Sequence, residues 1–117
     1  MKSMLSAVIA IFVLLTTGPA YALPDGRQLY SDCTRGNPFS EGYCEGFVVG
    51  VLSAHMSPWV VNLQKGRTYF CIPGNVTFKQ MTEIVQKYLA ENPSRHRYRA
   101  DTNVWSAMTE AFPCAKE

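Results

Sequence analysis

The amino-acid sequence predicts a small all-α domain of four helices, held together by disulfide bonds. Two observations support this fold class. Apolar residues recur at spacings of three and four in several segments, which is the period of an amphipathic helix. The chain also contains four cysteines, and an even cysteine number in a small exported protein indicates a disulfide framework.

The first 22 residues are organised like a cleaved signal peptide. Lys2 is the only charge before Asp25, and residues 20–22 read Ala-Tyr-Ala, a small-residue cleavage site. The apolar run between them is about 14 residues long, shorter than the roughly 20 that span a bilayer. We therefore expect an exported, soluble domain of residues 23–117 that has no lipid anchor and no membrane association after cleavage.

The charge of the mature chain is nearly balanced. Without Lys2, ten Lys and Arg residues stand against nine Asp and Glu residues. A nucleic-acid-binding domain is usually strongly basic. We therefore expect no nucleic-acid partner.

The first helix follows a turn at residues 24–26 and should end near Cys33, where its helically spaced apolar residues stop. The segment 34–40 contains glycine, asparagine and proline and is predicted to be a loop. Ser40 is the predicted N-cap of the second helix, with Glu41 in the first turn, where a negative charge suits the helix dipole.

The second helix, over residues 41–56, combines an apolar stripe with a row of glycines. Gly42, Gly46 and Gly50 lie four residues apart and therefore share one helix face. Because an interior glycine costs about 1 kcal/mol relative to alanine, we expect this row to admit the backbone of a neighbouring helix. No G-x-G-x-x-G or G-K-[ST] pattern is present, so a phosphate-binding loop is not predicted.

The connection over residues 57–73 begins with Pro58, which is expected to stop the second helix. Two apolar runs flank a Lys-Gly pair in it, and they favour a long irregular connection over a short β-hairpin. Trp59, Arg67 and Tyr69 lie here, and these residue types dominate interface hot spots. They are our candidate partner-binding residues; the alternative is that both aromatic rings only cover the core.

The third helix has the clearest boundary signals. Thr77 and Gln80 form a capping box, and Val76 with Met81 can form a hydrophobic staple. An apolar face of helical period follows and ends at the Asn-Pro pair of residues 92–93.

The fourth helix should start near Asp101 and end before Pro113. It follows a basic connection, residues 94–99, which could either meet an acidic partner or be a solvated turn. Its predicted inward-facing residues are Val104, Trp105, Met108, Ala111 and Phe112.

The predicted helices suggest a pairing of the cysteines. Cys71 precedes the third helix and Cys114 follows the fourth, so an antiparallel pair brings them together. Cys33 and Cys44 lie on either side of a short loop. We favour the bonds Cys33–Cys44 and Cys71–Cys114, although four cysteines allow three connectivities and the sequence does not choose among them.

Residue patterns for catalysis or metal binding are sparse. No C-x-x-C pair is present, which argues against a zinc ribbon or a thioredoxin-like site. Neither H-E-x-x-H nor G-x-S-x-G occurs. We interpret His55 as a helix-terminal or surface residue and His96 as part of a solvated loop. We therefore expect no enzymatic activity, no cofactor and no metal site.

Three segments in this order, YCEGFVVGV, FCIPGNVTFKQMTEIVQKYLAENP and AMTEAFPC, resemble the Rap1a/Tai family of immunity proteins. The match extends from about Leu29 to Cys114. The resemblance implies a helical, disulfide-bonded periplasmic protein of a Gram-negative bacterium. Its cognate effector would be a peptidoglycan amidase delivered by type VI secretion, neutralised by binding. The matching residues look like scaffold, so no effector-contacting position is carried over.

Two functions are therefore considered. The first is a periplasmic immunity protein that binds and occludes one effector. The second is a periplasmic stress or chaperone-like helical protein, which would suppress the aggregation of many clients. A homodimer is compatible with either function.

Overall fold

The computed structural model describes residues 22–115, which form five α-helices and one 3-10 helix. The α-helices are α1 (Gly26–Thr34), α2 (Pro38–His55), α3 (Pro58–Leu63), α4 (Phe78–Glu91) and α5 (Ala100–Ala111), and the 3-10 helix spans Pro93–Arg97. No strand occurs in this part of the chain; one isolated antiparallel bridge joins Asp25 to Arg99. The all-α fold class is confirmed, with one short helix more than predicted.

The predicted signal peptide lies outside the described residues, except for Ala22. The cleavage point before Leu23 therefore stays a prediction. None of the helices between residues 22 and 115 is long and apolar enough to cross a membrane.

The hydrophobic core lies where α1, α2, α4 and α5 pack together. Each helix contributes residues at spacings of three or four, so that one stripe of each is buried. The largest apolar side chains that are almost completely buried are Leu29, Val48, Leu52, Val85, Leu89, Val104 and Met108. Fully burying one such side chain is worth about 1.5–3 kcal/mol, and this core therefore provides the main stabilisation of the domain.

Helix α2 begins three residues earlier than predicted. Asn37 is its N-cap and accepts a hydrogen bond from the backbone N–H of Ser40 at 3.0 Å, and Pro38 occupies the first helical position. Ser40 is not the cap; it is buried inside the helix. An asparagine cap followed by proline is a favoured start, because the fixed φ of proline suits the first turn.

The connection over residues 57–73 contains helix α3 and no β-hairpin. The hairpin alternative was wrong. Pro58 does not itself stop α2, which ends at His55; it starts α3, where Ser57 accepts a hydrogen bond from the N–H of Val60. Proline is tolerated at this position because the first helical N–H has no partner within the helix. The favoured irregular connection is found only after α3.

Helix α4 starts as the sequence predicts. The hydroxyl of Thr77 accepts a hydrogen bond from the N–H of Gln80 at 3.2 Å, and the side-chain oxygen of Gln80 accepts one from the N–H of Thr77 at 2.8 Å. This reciprocal pair satisfies two backbone donors that the helix itself leaves free. The predicted capping box is confirmed.

The glycine row of α2 does not receive a neighbouring helix in the described part of the chain. Gly42, Gly46 and Gly50 are exposed, and a Cβ added at any of them meets no atom within 4 Å. The predicted close packing is therefore wrong for this part of the chain. Helix α2 turns the stripe that contains Val48 and Leu52 toward the core, and the glycines lie on another face.

Replacing Gly46 by alanine should stabilise the protein by up to about 1 kcal/mol, because the new methyl group has room and alanine loses less backbone entropy in a helix. Urea unfolding followed by circular dichroism measures the change. Gly36→Ala is the control: Gly36 has a φ of +72°, and alanine there should cost about 1 kcal/mol. A loss of stability for Gly46→Ala would mean that the row packs against something outside residues 22–115.

Both disulfides join the cysteines in the favoured pairing. Cys33–Cys44 links α1 to α2, and Cys71–Cys114 links the segment after α3 to the residues that follow α5; the Cα atoms are 5.0 Å apart in each bond. Cys33 and Cys44 belong to the buried core. No cysteine of the chain remains free.

Asn103 organises the link between α4 and α5. Its side-chain nitrogen, Nδ2, lies 3.0 Å from the carbonyl oxygens of Arg95 and Arg99 and 3.3 Å from that of Tyr98. The backbone N–H of Gly26 donates to the same Tyr98 carbonyl at 2.8 Å. Asn103 therefore fixes the 3-10 helix to the start of α5, and α1 begins directly against this point.

Candidate partner-binding face

Exposed apolar side chains are concentrated on and beside α3. Met56, Trp59, Leu63 and Tyr69 are 56%, 72%, 63% and 41% exposed. Together with Arg67, we name them the α3 face. Single exposed apolar residues are common on protein surfaces, but several within one short stretch indicate an interaction site.

Among the α-helices of the described chain, α3 is the one that has no buried residue. Val60 and Val61 are half-buried and hold the helix against the body. Trp59 and Leu63 are four residues apart, so they share one side of the helix. This side is directed to solvent.

An aromatic cluster supports Tyr69 at the edge of the α3 face. The ring centroids of His55 and Phe70 are 4.7 Å apart, and those of Tyr69 and Trp105 are also 4.7 Å apart. The rings of His55 and Trp105 meet edge to face at 5.6 Å. Aromatic pairs favour these tilted arrangements. The cluster connects the end of α2, the segment after α3 and helix α5.

His55 contributes an uncharged ring to this cluster. Burial among the neighbouring side chains lowers the pKa of His55, because an imidazolium would lose part of its hydration there. Asp101 lines a groove together with His55 and Trp105. Its carboxyl accepts hydrogen bonds from the Arg99 guanidinium, which lowers the pKa of Asp101. The rings beneath the α3 face therefore form an apolar support at neutral pH.

Two open apolar grooves flank α3. The first, of about 450 Å³, lies between α2, α3 and α5, and includes Val51, Val60 and Trp105 in its lining. The second, of about 380 Å³, lies between α3 and the segment that follows it. His55 lines both grooves, and Arg67 lies at the second. Grooves beside exposed aromatic side chains suit the side chains of a protein partner.

The loop after α3 is positively charged. Lys65 and Gly66 adopt positive φ values of 52° and 74° and turn the chain toward Arg67. The ion pairs found within residues 22–115 involve neither Lys65 nor Arg67. Two cations beside an apolar surface favour a partner with complementary acidic groups.

The three candidate residues all lie on the surface, in one stretch of the chain. Trp59 is on α3, Arg67 borders the second groove, and the ring of Tyr69 meets that of Trp105 edge to face. Their role in partner binding stays a prediction. Met56 and Leu63 were not predicted. Leu63 lies four residues after Trp59, a helical spacing that could have revealed it, whereas Met56 caps the end of α2 and is not on α3.

The aromatic support beneath the α3 face was not predicted from the sequence either. His55 was assigned only to a helix end or the surface, and the structure adds its contacts with three aromatic rings. His96 was assigned to a solvated loop, which is wrong: it is half-buried, its Nε2 lies 2.8 Å from the carbonyl oxygen of Leu89, and its ring packs on Tyr30. No pattern in the sequence indicates these long-range ring contacts.

The described residues contain no group of three or more His, Cys, Asp or Glu side chains that could hold a metal ion. All four cysteines are used in disulfides, so none of them is a thiolate nucleophile.

One of three comparisons with known proteins agrees with the motif resemblance. A search of curated proteins and a search of solved structures each found no match. The family model of the Rap1a immunity proteins, however, matches residues 25–114, a range that includes every helix of the structure and both disulfides. The chain therefore belongs to the Rap1a immunity protein family.

Proposed function

We propose that this protein is a periplasmic immunity protein that binds a peptidoglycan amidase effector of type VI secretion and neutralises it without catalysis. The observation that carries the proposal is the family match over residues 25–114, which supports a cognate effector as partner. The predicted signal peptide and the two disulfides support export to an oxidising compartment.

We further propose that the α3 face meets the effector. Trp59 and Tyr69 offer rigid aromatic area, and Arg67 offers a charge without a described ion-pair partner. Trp, Tyr and Arg contribute most often to interface hot spots. An effector that presents apolar side chains bordered by carboxylates would fit this surface.

The function is tested by competition between siblings. A strain that lacks this protein should be killed by siblings delivering the effector, and a plasmid copy of the gene should restore survival. If the deletion strain survives in such competition, the immunity function is wrong. Suppressed aggregation of several unrelated periplasmic proteins, without any protection from an effector, would favour the chaperone alternative.

Trp59→Ala should weaken binding to the purified effector about tenfold, since truncating a hot-spot residue typically costs more than 1 kcal/mol. Calorimetric titration measures the change. Trp59 is 72% exposed, so the fold should tolerate the substitution.

Phe39→Ala is the matched control. Phe39 is 83% exposed and lies near the opposite end of α2, roughly 24 Å of helix away from His55. We expect this variant to bind the effector normally. If Phe39→Ala weakens binding and Trp59→Ala does not, the assignment of the surface is wrong while the immunity function stands.

A further inference from the structure

The two disulfides differ in their access to solvent. Cys33 and Cys44 are 6% and 1% exposed and belong to the core, whereas Cys71 is exposed and Cys114 is half-exposed. Thiol–disulfide exchange requires that a thiolate reach one of the two sulfur atoms. A reductant in solution therefore reaches Cys71–Cys114 before Cys33–Cys44.

The segment that contains Cys71 has few other attachments. Phe70 is the one buried residue of the segment 64–76, and Ile72 and Val76 are half-buried. The first residues of the segment donate backbone hydrogen bonds to α3; the one described backbone hydrogen bond that reaches beyond α3 runs from the N–H of Cys71 to the carbonyl of Phe112 at 2.8 Å. The covalent bond to Cys114 adjoins this hydrogen bond and fixes the same point of the segment.

The same segment supplies part of the α3 face. Arg67 and Tyr69 lie four and two residues before Cys71, and Cys71 itself lines the second groove. The edge-to-face contact between the rings of Tyr69 and Trp105 requires that the segment stay against α5. The position of two of the five residues of the face therefore depends on Cys71–Cys114, whereas the helical core has its own disulfide.

We propose that Cys71–Cys114 is a redox latch for the α3 face. In the oxidised state the bond holds the segment 64–76 against α5; in the reduced state the segment is released while α1, α2, α4 and α5 stay folded. The consequence for effector binding rests on the proposed function. The face would then be complete only in an oxidising compartment, so a chain that still has reduced cysteines would not present it.

The chemistry of release is an exchange with a dithiol. One thiolate of the dithiol attacks a sulfur of Cys71–Cys114, and the other cysteine leaves as a thiolate and takes up a proton. The second thiol of the reagent then attacks the mixed disulfide and forms a cyclic disulfide, which frees the remaining cysteine as a thiol. Two electrons pass from the dithiol to the protein, and a small-molecule disulfide can reverse the reaction.

The order of reduction is tested by treating the native protein with dithiothreitol, alkylating the free thiols at intervals and locating them by mass spectrometry. We expect Cys71–Cys114 to be reduced at least about tenfold faster than Cys33–Cys44. In a Trp59→Phe background, the fluorescence of Trp105 should change with the faster reaction while helical circular dichroism is kept. Equal reduction rates, or loss of the helical signal with the first bond, would overturn the latch.

Hydrogen exchange tests the release of the segment. In the double variant Cys71→Ser/Cys114→Ser, the backbone amide at position 71 should exchange its hydrogen at least about tenfold faster than in the wild type. The exchange rate of the Val48 amide in the core should be unchanged. Unchanged protection at both positions would overturn the proposal. If the variant does not fold, the same exchange is measured on wild-type protein that has been selectively reduced and alkylated.

Effector binding separates this proposal from the proposed function. The oxidised protein should bind the effector, and the selectively reduced protein should bind it at least about tenfold more weakly, since the segment must be ordered again on binding. Equal binding by both forms would contradict the latch while leaving the immunity function intact. Failure of the oxidised protein to bind or protect would contradict the immunity function, and the reduction order would still decide the latch.

Discussion

Asn103→Ala is expected to lower the free energy of unfolding by about 3 kcal/mol. The side chain of Asn103 is completely buried, and its Nδ2 lies within hydrogen-bond distance of three backbone carbonyls. An amide nitrogen has two hydrogens, so these three acceptors share two donors. Losing two hydrogen bonds costs about 2 kcal/mol, and the cavity adds about 1 kcal/mol. Oδ1 has no hydrogen-bond partner among the described residues, so its removal breaks no bond there.

Urea unfolding followed by circular dichroism measures the loss. Asn92→Ala is the matched control, because Asn92 is only half-buried and its Nδ2 donates a single hydrogen bond, to the Tyr88 carbonyl at 2.8 Å. That variant should lose about 1 kcal/mol. If Asn103→Ala is no less stable than Asn92→Ala, the three-carbonyl site does not hold the link between α4 and α5.

Gly26→Ala is expected to cost about 2 kcal/mol by overpacking. A Cβ at this position would lie 2.6 Å from Nδ2 of Asn103, 3.0 Å from the His96 Cα and 3.1 Å from the Arg95 carbonyl oxygen. Two of these atoms belong to the backbone, and the amide is held by its hydrogen bonds. None of the three can move aside without breaking contacts. The same urea experiment measures the loss.

The control for this substitution is Gly74→Ala, where an added Cβ meets no atom within 4 Å; it should change stability by no more than about 0.5 kcal/mol. The double variant Gly26→Ala/Asn103→Ala gives a sharper test. Because removing the amide relieves the shortest clash, its loss should be smaller than the sum of the single losses by about 1 kcal/mol. Additive losses would show that the clash with the 3-10 helix backbone dominates.

Helix boundaries and buried helix faces that depend on residues close together in the chain were predicted from the sequence. The capping box of Thr77 and Gln80 lies within one turn, and the sequence shows both partners. The apolar periods of α2 and α4 likewise predict their buried stripes, because a buried stripe must follow the period of the helix. The start of α2 was misplaced because two cap-forming residues, Asn37 and Ser40, lie close together, and Pro38 makes the first of them the better start.

The remaining features depend on contacts between distant residues. Nothing around Asn103 in the sequence shows that its amide meets the carbonyls of the preceding 3-10 helix, or that Gly26 lies against it. The glycine row of α2 illustrates the opposite error. Its spacing indicates a shared face, but spacing alone does not show which face of a helix is covered.

The candidate site was predicted in part. Trp59 and Tyr69 were selected for their residue type, and their exposure in the structure is consistent with a contact role. The ring contacts that position Tyr69 involve His55 and Trp105, which lie 14 and 36 residues away in the chain. Such contacts follow from tertiary packing, which the sequence pattern does not reveal.

The order of the disulfides along the chain has a consequence for biogenesis. Cys33 pairs with Cys44 and Cys71 with Cys114, so each cysteine bonds to its neighbour in the chain and the two loops neither cross nor enclose one another. If the chain enters an oxidising compartment with its N-terminus first, Cys33 and Cys44 become accessible to a thiol oxidase before Cys71 and Cys114. Oxidation in order of emergence would then give the native pairs directly, without rearrangement by a disulfide isomerase.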